Sequence, residues 1–402
     1  MKEKWSTDDL TKIMERYVET GEMAGGELSV HQDGQAVFHH RWGIARENSI
    51  YRMASLSKVM TAVGFMKLWE RHLADLDDPV SRYLPGFENP RVVTDGRIVG
   101  AENFVRYMKT HQAPPLSEIL TAKASRKLTI RDLLTHSSGL EMGLYGLLHL
   151  ESMRNAGAAE DDLKKRAARY SRAALDFEPG TATGYSPLAG FDLIAEIVEI
   201  VEVISGMDFA SFMEKEVFRP LEMKDACYHL TQEQEKRLVP LYEYENGVLR
   251  DVTGSEKDIN VLGLIGPSYF SGSAGVYCRA GDLDHLACML CDDGVFNGRR
   301  ILSREAVQAI HTEHAVNHLE PEPGMEWALG VKVRQDPEKA GSYATAGTYG
   351  WSGSYGTHLF VSPRDHLCAA FSMNRAEIGG SGSYISREVE KLVFSIWRKK
   401  VS

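Results

Sequence analysis

The chain has 402 residues, 43% hydrophobic and 25% charged, which is the composition of an ordinary globular protein with a large buried core. A formal charge of −10 and the lack of basic patches exclude non-specific binding to nucleic acid or to an anionic membrane surface. Cysteines at 227, 278, 288, 291 and 368 make an odd number, which fits reduced thiols in the cytoplasm.

In chain order, residues 1–9 carry acidic groups and no apolar stretch, so they do not read as a secretory signal. Thr7 to Thr20 reads as a helix. Alternating runs around Gln32-Asp-Gly34 predict a hairpin. Ser55 and Lys58 then open an apolar helical run, Val59 to Trp69, and three-residue spacing puts both on one helical face. A serine hydroxyl is a poor nucleophile until something takes its proton, and a partly desolvated lysine beside it can help. No other serine in the chain has a lysine three residues on.

A switch follows at Leu76-Asp-Asp-Pro-Val80, and the pattern to about Leu241 is mostly helical. Thr129 to Thr135 reads as a short helix leading into His136-Ser-Ser-Gly139, where His136 reads as a brace for the loop. Tyr185-Ser-Pro-Leu188 starts a long helix to about Ser205, with Ser186 as N-cap and Pro187 as first helical residue. Beyond 265 come a helix from Ala280 to Asp292 and strands at Trp327–Val333, Thr357–Ser362 and His366–Met373. Ser386 to Lys399 reads as a closing helix. The stretches 259–278 and 340–363 lack charged side chains, but Gly, Ser and other polar residues argue against membrane spans. This order predicts an α+β sheet domain assembled from 1–75 and 251–402, interrupted by a helical domain at 76–250.

Two spacings resemble metal-ligand sets, and neither reads as one. His311, His314 and His318 would share a helical face, but the run leads into Pro321-Glu-Pro-Gly324. His285, Cys288 and Cys291 share a face too, and read as core. No metal and no cofactor is expected. The absence of a Gly-x-Ser-x-Gly elbow excludes an α/β-hydrolase.

Taken together, Ser55-Leu-Ser-Lys58, Leu133-Leu-Thr-His-Ser-Ser-Gly-Leu140, Pro179-Gly-Thr with Tyr185-Ser, Phe218-Arg-Pro-Leu-Glu-Met223 and Gly350-Trp-Ser-Gly353 resemble the serine β-lactamase and penicillin-binding-protein superfamily. The look is closest to its class C-like branch and the family VIII carboxylesterases. The resemblance implies a β-lactamase-like fold, an antiparallel sheet flanked by helices. It also implies Ser55 as nucleophile, Lys58 and Tyr185 as the proton-handling pair, and an oxyanion hole from the N–H groups of Ser55 and Ser354 beside Trp351 and Gly353. A phenol is a weak base near neutral pH, and a neighbouring ammonium favours its anion.

Two positions depart from the family pattern. Trp351 stands where Lys-Thr-Gly has its lysine, and Pro187 stands where Tyr-x-Asn has its asparagine. Both changes remove polar recognition of a peptide-like acid, so the expected activity is hydrolysis of small esters. The alternatives are a β-lactamase, a D-aminopeptidase or amidase, a DD-peptidase-like enzyme, an acyltransferase, or a binder without turnover. The expected partner is a small ester or amide substrate, with neither nucleic acid nor membrane.

Overall fold

The turn at Asp33–Gly34 starts the sheet. Both residues take positive φ, 52° and 75°, which a two-residue hairpin needs. The turn joins β1 (Gly25–Gln32) to β2 (Gln35–Gly43). Five more strands come from the C-terminal part: β3 (Met325–Trp327), β4 (Lys332–Arg334), β5 (Thr348–Ser352), β6 (His358–Ser362) and β7 (Leu367–Ser372). All seven form one antiparallel sheet in the order β3-β4-β5-β6-β7-β1-β2. Residues from both ends of the chain therefore share one sheet, flanked by helices, as the sequence resemblance implied. The computed structural model describes residues 5–157, 161–202, 206–258, 269–380 and 382–399.

Six helices position the site: α1 (Thr7–Glu19), α2 (Ser57–Trp69), α3 (Ile130–Leu134), α4 (Ala189–Val201), α5 (Ala280–Cys291) and α6 (Tyr384–Trp397). A capping box between Ser6 and Asp9 starts α1, and the same device between Thr129 and Asp132 starts α3. On one face of the sheet, Leu10 and Met14 of α1 meet Trp42, Phe360, and Val389 and Leu392 of α6. Against the other core lies α2, apolar on all sides, as a fully enclosed helix must be. Val59, Met60, Val63, Phe65, Met66 and Leu68 are fully buried. Each such side chain contributes about 1.5–3 kcal/mol of hydrophobic stabilisation, so the helix that carries Lys58 is held firmly.

Two elements differ from their sequence reading. Trp327 to Val333 is not one strand but the two strands β3 and β4 around a turn. The unbroken apolar run hides Gly330, whose φ of 75° reverses the chain while the Ala328 N–H donates to the Val331 carbonyl at 2.9 Å. The helix after Tyr185 starts at Ala189 rather than at Pro187, and is described to Val201. Its expected end at Ser205 lies outside the described residues.

Candidate active site

Three segments bring the expected residues together. Ser55 sits in the single helical turn Ala54–Leu56 that runs into α2. The strand before it, Ile50–Arg52, pairs with Tyr277–Arg279, and Met53 N–H donates to the Val276 carbonyl at 3.0 Å. Arg52 is buried and forks onto Asp258 at 3.1 and 2.7 Å. Ala54, directly before Ser55, takes φ of 45°, a left-handed conformation that costs about 1–3 kcal/mol in a residue with a Cβ. The surrounding pairing holds that strained turn, and the strain fixes the direction in which Ser55 projects.

Lys58 follows one turn later and is fully buried. Its Nζ donates to the carbonyls of Pro187 at 2.8 Å and Ser273 at 3.0 Å, and lies 3.5 Å from Ser55 Oγ. The Tyr185 hydroxyl bonds to Ser55 Oγ at 2.5 Å, and Lys58 Nζ lies 5.1 Å from the Tyr185 ring centre. One serine oxygen thus faces both a phenol and an amine. Tyr185 is 37% exposed, so this side of the trio opens to solvent.

Pro187 therefore does more than lose the asparagine side chain. Its backbone carbonyl binds the amine directly, and this is possible because the helix begins two residues late. The N–H groups of Leu188 and Ala189 go instead to the buried Glu141 carboxylate, at 3.2 and 2.7 Å. Asp192 of α4 accepts from Ser271 Oγ at 2.7 Å and from the Ser273 N–H at 3.1 Å, which fixes the turn whose carbonyl holds Lys58.

Burial pushes the Glu141 carboxyl up to about 7, with the Asp192 charge adding to the rise and the two N–H bonds opposing it. The folded chain holds this proton more tightly than the unfolded chain. Its stabilising contribution is thus complete below an ordinary carboxyl pKa of 4.5 and is lost as pH rises through about 7. Over that window the loss is roughly 3 kcal/mol. Glu141→Gln should remove it, so that urea unfolding at pH 5 and pH 8 shows a smaller pH dependence than in the parent protein. An unchanged dependence would contradict the assignment.

On the sheet side, β5 carries Trp351 and leads to Gly353 and Ser354. A Cβ on Gly353 would collide with the Met53 carbonyl oxygen and Thr357 Oγ1, so only glycine lets this strand end come so close to the Ser55 turn. Among the described residues the Ser354 N–H has no acceptor. Ser55 is the second residue of its helical turn, where backbone N–H groups have no partner within the helix.

Aromatic rings form the wall. Trp351 is buried with its ring centre 5.4 Å from Tyr185 and 4.7 Å from Trp327. His136 packs against Tyr185 at 4.9 Å and Trp327 at 4.3 Å, and its Nδ1 accepts the Ser186 N–H at 3.1 Å. Burial, with the charges of Lys58 and Lys332, holds the His136 imidazole well below its usual pKa range, so it stays neutral. Lys332 of β4 lies 5.1 Å from the Trp327 ring centre and 5.4 Å from Trp351, with Nζ paired to Glu322 at 2.7 Å.

Residues 10–392 match the Beta-lactamase family model. The chain belongs to the Beta-lactamase family. Esterase EstB of Burkholderia gladioli is 27% identical over 408 residues, covering 93% of this chain and 91% of the esterase. The D-alanyl-D-alanine-carboxypeptidase/endopeptidase AmpH of Escherichia coli (strain K12) is 27% identical, covering 67% of this chain and 59% of its own. The solved structure of EstCE1, described as a hydrolase with promiscuous acyltransferase activity, superposes with a TM-score of 0.73 at 19% identity, covering 97% of this chain and 98% of its own. The Beta-lactamase family is one of serine hydrolases whose members include esterases and DD-peptidases, with acyltransferases of the same fold. Among the described residues no helix is long and apolar enough to cross a membrane.

Among the described residues, neither His311, His314 and His318 nor His285, Cys288 and Cys291 come together as one ligand set. The helix with His311 ends at Thr312, so His314 and His318 are not on its face. His311 stacks on Tyr349 at 4.6 Å, while His314 and His318 lie 3.1 and 3.6 Å from Glu326. His285 Nδ1 lies 2.8 Å from the Leu221 carbonyl. Sequence reasoning missed Trp327, Lys332, Glu141 and the carbonyls of Pro187 and Ser273. The aromatic and charged side chains give no local pattern, and a carbonyl acceptor gives no residue-type signal at all.

Proposed function

We propose that the protein is a serine carboxylesterase that forms an acyl-enzyme on Ser55 and acts on small esters. The observation that carries this reading is the 2.5 Å contact between Ser55 and Tyr185 with Lys58 Nζ 3.5 Å from the same oxygen. In the proposed reaction Tyr185 acts as phenolate beside the Lys58 ammonium, and Ser55 Oγ attacks the ester carbonyl carbon while its proton passes to that phenolate oxygen, leaving a neutral phenol. The oxyanion takes hydrogen bonds from the Ser55 and Ser354 N–H groups. Tyr185 then returns the proton to the departing alcohol, and water repeats the sequence on the acyl-enzyme to release the acid. The site lies between the two units we propose, the sheet unit 1–75 with 251–402 and the helical unit 76–250. The odd cysteine count supports the cytoplasm as compartment.

Ester preference rests on Trp351 and Pro187. A cation at a substrate carboxylate is worth roughly 1.5–3 kcal/mol, or about one to two decades in affinity. Trp351 offers a neutral ester an apolar wall and offers an anionic β-lactam no charge. Arg279 pairs with Asp225 and Asp282, and Lys332 is paired to Glu322, so neither stands ready as a substitute. A p-nitrophenyl ester, a chromogenic cephalosporin and a D-amino-acid anilide should be compared on one preparation. The short ester is expected to exceed the cephalosporin by at least about two decades in kcat/KM. Trp351→Lys should narrow that gap through the β-lactam. Preference for the cephalosporin would contradict the esterase reading, and loss of that preference in Lys332→Met would show Lys332 as the anchor.

A further inference from the structure

Away from Ser55, a second group of reactive side chains gathers where α5 crosses β1 and β7. His31 of β1 and Cys368 of β7 are direct cross-strand partners. Asp284 and Cys288 stand one turn apart on α5, which places them on one face of that helix. His31 Nε2 lies 2.8 Å from Asp284 Oδ2, and one donor atom each from His31, Asp284 and Cys288 all fall within 4.8 Å of one another. Asp284 Oδ1 is buried and, among the described residues, has no hydrogen-bond partner. A cavity of about 530 Å³ bordered by His31, Cys288 and Cys368 opens beside the cluster and gives a path in.

We propose that His31, Asp284 and Cys288 form a three-residue binding site for a zinc-class divalent cation, its fourth position open to the adjoining cavity. Bonds of about 2.0–2.3 Å in a tetrahedral site put ligand atoms about 3.5 Å apart, so the present spacing closes with small side-chain adjustments. One imidazole, one carboxylate and thiol sulfur suit zinc, whereas calcium and magnesium prefer oxygen alone. On binding, the sulfur–metal bond replaces the Cys288 S–H bond, and the cation replaces the proton shared by His31 and Asp284. Both protons leave to solvent, and no oxidant or reductant is needed. The site ties the N-terminal hairpin to β7 and α5. The row His31, Cys368, Val361, Tyr349 lies three positions along the strands from Leu28, Phe371, His358 and Ser352 at the active-site end, so the cation acts on stability rather than on the ester.

The test is a Co²⁺ titration of the full chain after chelator treatment and transfer to metal-free buffer. A thiolate-to-cobalt charge-transfer band in the near ultraviolet should saturate at one equivalent, disappear on adding Zn²⁺, and persist in Cys227→Ser. Cys288→Ser should lose the band and bind Zn²⁺ at least about 100-fold more weakly, and His31→Gln should keep the band but weaken binding by about 10-fold or more. Zn²⁺ should raise the Tm of the parent protein and leave that of Cys288→Ser unchanged. No band in the parent protein at one equivalent, or an undiminished band in Cys288→Ser, would overturn the proposal. Either result would leave a hydrogen-bonded His31–Asp284 pair among packed thiols. If Cys288→Ser does not fold, the parent titration and His31→Gln decide the matter.

Discussion

Ser55→Ala should remove about five to six decades of ester turnover while the fold persists. The hydroxyl is the proposed acyl carrier, and neither neighbouring group can replace it: Lys58 is buried against two carbonyls and Tyr185 is the proposed proton acceptor. The residual rate comes from substrate binding and the N–H groups of Ser55 and Ser354, which the substitution leaves in place. Stability should change little. Alanine suits a helix start, Lys58 keeps its two carbonyl acceptors, and the half-exposed Tyr185 hydroxyl can bond to water instead. The check is kcat for a p-nitrophenyl ester together with the unfolding midpoint. A variant within tenfold of the parent rate would refute the assignment, and an unfolded variant would be replaced by Ser55→Gly for the same comparison.

Lys58→Ala and Tyr185→Phe should each cost about three decades or more in kcat, and the double variant should be little worse than the poorer single one. The reason is geometric. Both groups address one oxygen, at 3.5 and 2.5 Å, so removing either disables the same proton transfer. Lys58→Ala also leaves the Pro187 and Ser273 carbonyls without their donor in a buried place, a cost of about 1–3 kcal/mol in stability for each such group. Tyr185→Phe keeps the ring that packs on Trp351 and His136, and its stability should stay near that of the parent. A double-variant loss equal to the product of the two single losses would mean independent roles and would remove the shared proton store.

Local patterns explain how much of this was legible beforehand. Asp33–Gly34 gave the hairpin because its turn chemistry is local, and the serine–lysine spacing gave a shared helical face for the same reason. Where one residue's influence depended on a distant partner, the reading failed. Ser186 and Pro187 look like a helix start in isolation, yet Glu141, 46 residues before Pro187, takes the N–H groups that would have set that start, and α4 begins at Ala189. Gly330 was submerged in an apolar run that periodicity cannot divide, although its backbone conformation reverses the chain there. The three histidines at 311, 314 and 318 were spaced for a helix that stops at Thr312.

The most direct test of the central claim is peptide mass spectrometry of the protein acid-quenched during turnover of a slow ester, and of the protein treated with a fluorophosphonate. The account predicts one acyl group, and one phosphonyl group, on the peptide containing Ser55, both absent from Ser55→Ala. An adduct on any other residue, or turnover with no adduct on that peptide under either condition, would contradict it.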